Sequence, residues 1–348
     1  MTSWPMDDAA LRAARRDRVL DAMSRAGLDV LVLGRRDSVA YATGAHSLWT
    51  AGTRPPGPAC VLVEPWRSTY LLSTWDAGVP PEIPFENLYG LTWNPAIMAT
   101  SLQAIPGLVD ARRIGVDALS PGVQRLLARV CPEAAIIPAD DLLAAARARK
   151  LAAEIERIRG ATAIAAASVD AATAAIASDA TPAEARAAAI HTAATGGATA
   201  ATGGATVPSS AVTVEPVGDD ATFHVDVGLL IDGYEGGLGR TMRLTAAGDA
   251  DEAAEAHGRL TDACRPGATA ADLRHAAAGV ARWMVRGTGM GFEPPLITDT
   301  LGNGAVIEHD MTLSVEVDAA GVRCRDLVAI TADTPEILTN SSSKVSAE

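Results

Sequence analysis

Lysine is nearly missing from this 348-residue chain: Lys150 and Lys344 are the two among 29 basic residues. Aromatic residues are scarce too, at 4%, so a core must be assembled from Ala, Leu, Val and Ile rather than from rings. Four cysteines, Cys60, Cys131, Cys264 and Cys324, stand singly with no Cys-x-x-Cys pair, which leaves a thiolate zinc site or a dithiol redox motif without support. They read as free thiols packed in a reducing compartment. No basic stripe offsets the formal charge of −13. Affinity for nucleic acid comes from cations that neutralise phosphates, so no nucleic-acid partner is expected. The most apolar long stretch, Ala161 to Ala177, is mostly Ala and carries Asp170. It reads as too weakly hydrophobic to span a bilayer, and no membrane partner is expected. The first residues put acids ahead of bases and lack an apolar centre, unlike a signal peptide. A cytoplasmic location is the expectation.

What is present is 48% hydrophobic and 20% charged, the composition of a folded chain with room for two cores. Residues 1–148 alternate helical and strand patterns: a helix over Asp7–Gly27, a strand at Asp29–Leu33, a strand pair at Pro58–Glu64 and Thr69–Ser73, a strand at Arg113–Asp117 and a helix at Ser120–Val130. This is a compact α/β domain. Residues 149–338 form the second domain, opening with a helix over Leu151–Ala177. Thr181-Pro-Ala-Glu184 is a capping box that starts another. A Gly/Ala/Thr stretch around Gly196-Gly197 and Gly203-Gly204 reads as mobile. Phe223–Ile231 is a strand, Gly233 a turn and Arg240–Leu244 the start of a return strand. Helices are expected at Asp251–Cys264 and Ala270–Arg286, then a hairpin from Met311–Val317 to Val322–Thr331. The polar residues 339–348 read as a disordered tail.

Several spaced segments together resemble the creatinase/prolidase/aminopeptidase P family. They are Tyr41-Ala-Thr-Gly44, Arg147-Ala-Arg-Lys150 with Glu154-Ile155, Phe223-His-Val-Asp-Val-Gly228, Asp232-Gly-Tyr234, Arg240-Thr241, Pro266-Gly-Ala-Thr269, Gly287-Thr-Gly-Met-Gly291, Met311-Thr-Leu-Ser-Val-Glu316, Gly321-Val-Arg323 and Val328-Ala-Ile-Thr331. Their order covers nearly the whole chain. The resemblance implies an α+β chain with a creatinase-like N-terminal α/β domain followed by a pita-bread C-terminal domain, and a homodimer.

Metal-dependent members of that family hold two divalent ions with two Asp, one His and two Glu. Carried over, the first Asp falls on Asp226 and the first Glu on Glu316. The second Asp falls on Gly237, the His on Thr288 and the second Glu on Arg325. Two carboxylates do not satisfy a bridged ion pair, and Arg325 puts a permanent cation on the same ground. The resemblance therefore implies no metal, no other cofactor and no peptidase activity.

Residues two apart on a strand share a face, so His224 faces with Asp226, Glu316 with Asp318, and Arg323 with Arg325. The hairpins of the resembled family imply that Asp226, Glu316 and Arg325 converge, with the guanidinium bridging two carboxylates. His224 is a candidate general base. Glu235 lies on the turn after Gly233, as an acid/base or a solvated side chain. Asp226, His224, Glu316 and Glu235 are thus the catalytic candidates. Arg325, Arg323, Asp318, Tyr234 and Thr288 are the substrate-binding ones, joined by Trp49 and Arg54, which creatinase-like dimers would use to help close the partner's site. His46, His191, His257, His275 and His309 read as surface residues. The expected function is a metal-independent enzyme acting on a small amino-acid-like or guanidino/amide substrate by C–N hydrolysis. A lyase, a cyclase or a catalytically dead binding or scaffold protein are the alternatives.

Overall fold

The computed structural model describes residues 9–45, 58–72, 78–90, 94–198, 212–243, 250–290, 293–319, 321–331 and 334–339. These fall into two units, residues 1–146 and 147–348. Trp49, Arg54, His46, most of the Gly/Ala/Thr stretch and the tail beyond Thr339 lie outside the described residues.

In the first unit α1 (Ala9–Ala26) leads into β1 (Val30–Leu33) and α2 (Arg36–Thr43), then β2 (Cys60–Val63), β3 (Ser68–Leu72) and β4 (Leu88–Tyr89). There follow α3 (Pro95–Ala104), β5 (Arg113–Val116), α4 (Pro121–Val130), β6 (Ala135–Pro138) and α5 (Asp140–Ala148). The six strands are ordered β4-β3-β2-β1-β5-β6. β1 is antiparallel to β2 and parallel to β5, and β5 is parallel to β6. All four residues of β1 are buried, as a central strand covered on both faces requires. Val30 and Val32 pack with Met98, Leu102 and Leu127 from the helices on one side.

The second unit opens with α6 (Ala152–Ala177) and α7 (Pro182–Thr195). Small residues that are 0% exposed, Ala161, Ala165, Ala172, Ala185, Ala189 and Ala193, allow these helices to pack closely, which answers the shortage of aromatics. By length and composition α6 could cross a membrane, but its buried stripe, including Ile155, Ile158, Val169 and Ile176, belongs to the core of this unit. The capping box forms: the Thr181 N–H donates to Glu184 at 2.9 Å, and the Glu184 N–H donates to Thr181 Oγ1.

Next come β7 (Val212–Val217), β8 (Asp219–Ile231), β9 (Tyr234–Arg243), α8 (Ala250–Ala263) and α9 (Ala270–Ala276). After them lie β10 (Arg282–Gly287), β11 (Glu293–Ile297), β12 (Thr312–Ala319), β13 (Val322–Ala329) and β14 (Glu336–Ile337). The eight-stranded sheet is ordered β11-β10-β12-β13-β9-β8-β7, with β14 beside β13. Val285, Leu313, Val315, Val317 and Val328 form its core with Ala253, Ala256, Leu260 and Leu273 of α8 and α9.

One expectation fails here. The helix read over Ala270–Arg286 stops at Ala276, and Arg282–Gly287 is a strand. Gly279 takes φ +86°, and the sequence beyond alternates Trp283, Val285 against Met284, Arg286, a period of two rather than 3.6. Thr339 is also no part of a loose tail: it is buried and donates to Asp326.

Candidate active site

Antiparallel pairing sets residues from six strands in one cross-sheet row. Met284 stands opposite Glu316, Glu316 opposite Arg325, Arg325 opposite Gly239, Gly239 opposite Asp226 and Asp226 opposite Thr213. Directly opposed residues share a face, so Asp226, Arg325 and Glu316 do meet on one surface of the sheet. A parallel row of polar residues includes His224 opposite both Glu215 and Thr241, and Asp318 opposite both Arg323 and Arg282.

The row is organised by one guanidinium. Arg325, 5% exposed, donates from Nε to Asp226 Oδ2 at 2.9 Å, from Nη2 to Asp226 Oδ1, and from Nη2 to the Val227 carbonyl at 2.9 Å. Its Nη1 lies 3.8 Å from Glu235 Oε1. Burial works against the charge on Arg325, but Asp226 and Glu235 outweigh it and hold its pKa above the ordinary value. The second carboxylate it reaches is thus Glu235. Glu316 flanks Arg325 across the strand pair and is half-buried.

Glu235 corrects the sequence reading. It sits in β9, not on a solvated turn, and is 2% exposed. Arg286 grips both of its oxygens, one through Nη1 at 3.1 Å and the other through Nη2, and Thr288 donates its hydroxyl to Oε2 at 2.7 Å. Burial alone would raise the Glu235 pKa, but Arg286, then Arg325 and Thr288, hold it below the usual carboxylate range. Arg286 went unnoticed in the sequence because its strand was read as helix. Thr288, 0% exposed, serves Glu235 rather than an open pocket. Tyr234 is likewise turned away from this face: it is 1% exposed and donates its hydroxyl to Glu154 at 3.0 Å.

His224 is buried, with Nδ1 3.4 Å from the Thr241 hydroxyl. Burial lowers its pKa against the pull of Asp226, with Arg323 adding to the lowering, so the imidazole is neutral at pH 7. Arg323 donates to Asp318 at 3.0 Å, and its backbone N–H donates to Thr241 Oγ1 at 2.7 Å. On the opposite side of β13, Asp326 is held by Arg240 at 2.7 Å and Thr339, with His257 Nε2 at 3.4 Å. His257 is therefore a buried residue, not a surface one: α8 presents it to the sheet, where Nε2 lies 3.3 Å from the Val315 carbonyl.

The donor chemistry does not fit a two-ion cluster. Asp226 and Glu235 both face guanidinium groups, Gly237 offers no donor, and the Thr288 hydroxyl already donates to a carboxylate. Among the described residues no three or more of His, Cys, Asp and Glu gather as a metal ion would require. A Cβ placed on Gly239 would lie 2.5 Å from Asp226 Oδ2, so even a larger residue there would disturb the ion pair.

The fold is that of solved peptidases. Prolidase from Pyrococcus furiosus aligns with TM-score 0.65 at 20% identity, covering 94% of this chain and 99% of that one. Xaa-Pro dipeptidase from Bacillus anthracis aligns with TM-score 0.69 at 19% identity, covering 95% and 98%. The N-terminal domain of the FACT complex subunit SPT16 from chickpea aligns with TM-score 0.63 at 13% identity, covering 95% and 96%. No curated protein sequence matches the chain. The model of the creatinase/prolidase N-terminal domain matches residues 15–149, and that of metallopeptidase family M24 matches residues 153–332. The chain belongs to metallopeptidase family M24, with a creatinase-type N-terminal domain ahead of its pita-bread domain.

Proposed function

We propose that this chain is a metal-independent enzyme that hydrolyses a C–N bond in a small amino-acid-like, guanidino or amide substrate. The observation that carries the reading is Arg325, a buried guanidinium bound to Asp226, at a position onto which the family resemblance carries a metal-ligating Glu. A fixed cation in a water-poor setting stabilises developing negative charge without moving. His224, neutral near pH 7, takes the proton from water as the oxygen bonds to the amide or amidine carbon. When the C–N bond breaks, that proton passes from the imidazolium to the leaving nitrogen. Glu316, beside Arg325, orients the nitrogen end of the substrate, and Arg323 draws in a substrate carboxylate. Asp226 and Glu235 hold the guanidinium rather than touching the reacting atoms.

The test is turnover of a panel of N-acyl, carbamoyl and guanidino amino acids by chelator-treated protein, followed by mass spectrometry. Activity should persist in chelator and fall about 100-fold or more in His224→Asn, the usual scale of a general base. Activity that appears only on adding Mn²⁺, Co²⁺ or Zn²⁺, or that survives intact in His224→Asn, sinks the reading. A binding or scaffold role is the second reading. It is supported by the internal neutralisation of Asp226 and Glu235 by Arg325 and Arg286 and by the likeness to the SPT16 domain. It predicts no turnover of any panel member and unimpaired biological activity in His224→Asn and Glu316→Gln.

A further inference from the structure

A cavity lies in the first unit. It measures about 270 Å³ and is lined by Arg35, Val116, Leu119, Gln124, Pro138 and Asp140, with Ala118 on its wall. Its position follows from topology. β1, β5 and β6 run parallel, so their carboxyl ends share one edge. After β1 the chain returns as β2 on one side, while after β5 it returns as β6 on the other. Connections that diverge in this way open a crevice beyond the strand ends, the usual ligand position in open α/β sheets.

The lining is built as well as placed. Buried Asp117 accepts from the Gly34 N–H at 2.5 Å and the Arg35 N–H at 3.3 Å, which fixes the backbone from which Arg35 projects. Ala118 takes φ +40°, a left-handed conformation that L-residues other than glycine adopt at a cost. At the rim Arg35 Nη2 lies 3.0 Å from Asp140 Oδ1, both side chains being about half exposed. An exposed pair of this kind is weakly held, so its members can separate to face a ligand. The Gln124 side-chain amide donates to the Leu119 carbonyl at 3.1 Å, which leaves its oxygen as an acceptor.

We infer that this cavity binds a free aliphatic α-amino acid. One cation and one anion at the mouth match the carboxylate and ammonium of a zwitterion: the carboxylate meets the planar Arg35 fork and the ammonium meets Asp140. Val116, Leu119 and Pro138 then cover a short apolar side chain. Cavities for drug-sized ligands begin at about 300 Å³, so this one suits an amino acid and not a peptide. The inference is independent of the chemistry proposed for the second unit.

The experiment is calorimetric titration of the full chain with L-valine, isobutyrate and isobutylamine. L-valine should saturate at one equivalent, and the two singly charged analogues should bind at least tenfold more weakly. Arg35→Ala and Asp140→Asn should each weaken valine at least tenfold, Arg35→Lys less so, while Glu316→Gln binds valine as the wild type does. Absence of saturable valine binding, or binding indifferent to Arg35→Ala, overturns the inference. So does valine binding removed by Glu316→Gln, which would place it at the other site.

Discussion

Arg325 occupies the space that a side chain at position 237 would need. A Cβ built on Gly237 would sit 2.6 Å from Arg325 Nη1 and 3.1 Å from Cζ. The guanidinium cannot step aside freely, because Asp226 and the Val227 carbonyl hold its other nitrogens. Gly237→Ala is therefore expected to destabilise the chain by about 1–3 kcal/mol, the range for overpacking. In an Arg325→Ala background the clash is gone, and a double-mutant cycle by urea denaturation should show coupling of about 1 kcal/mol or more. Additive effects would mean the two positions do not compete for one space.

Removing the cation alone leaves Glu235 with one guanidinium fewer and Asp226 with its bidentate partner gone. Breaking a buried pair from one side costs about 3–5 kcal/mol, and Asp226, with a quarter of its side chain exposed, moves the expectation to the lower end. Arg325→Met should lose about 3 kcal/mol in urea denaturation, and the double variant Asp226→Asn with Arg325→Met should regain part of it. If Arg325→Met is as stable as the wild type, the centre is not an electrostatic unit.

Part of this centre was legible in the sequence: strand alternation puts His224 with Asp226, Glu316 with Asp318 and Arg323 with Arg325, and the family resemblance joins the strands. The family resemblance implied that Asp226, Glu316 and Arg325 converge, and the structure sets them in one row. Glu235 was misread because the chain near Asp232-Gly233 signals a turn but not where the strand resumes; pairing starts at once, at Tyr234 opposite Ile231. Arg286 was lost to a helix reading carried past Gly279. His257 looked superficial because an amphipathic helix gives no direction for a residue at the edge of its apolar stripe. Its role depends on Asp326 and Val315, both distant in sequence.

Both buried histidines bear on acid stability. Burial lowers His224 and His257 below the ordinary value of 6.5. For His257 the pull of Asp326 opposes this, and Arg240 adds to it. As pH falls through about 6.5 the unfolded chain takes up protons that the folded chain refuses, so stability declines on acidification. Each group contributes a slope of at most about 1.4 kcal/mol per pH unit. Glu235 and Asp326, whose pKa values are lowered, support the fold above about 4.5 and lose that contribution in a separate, more acidic window. Urea midpoints should therefore fall between pH 7 and 5.5, and His257→Gln should reduce the slope in that window. A flat profile there would mean the imidazoles are solvated enough to protonate in place.

The composition of the site also predicts what would turn it toward metal binding. The wild-type row offers Asp226 and Glu316 around a cation, and a guanidinium and a divalent ion repel each other at contact distance. Gly237→Asp combined with Arg325→Glu removes the cation and supplies two carboxylates, so that residues 226, 237, 316 and 325 all present oxygen on one face. Oxygen-rich sites favour Mn²⁺ over softer-ligand ions. After dialysis against Mn²⁺ and desalting, elemental analysis should find less than about 0.1 equivalent in the wild type and about one in the double variant, since two to four carboxylates with water meet the needs of a six-coordinate ion. Gly237→Asp alone should gain none, because Arg325 still stands in the way. Two equivalents of metal retained by the wild-type chain would show that Arg325 swings clear in solution, and the ion-pair account of this centre would fall with it.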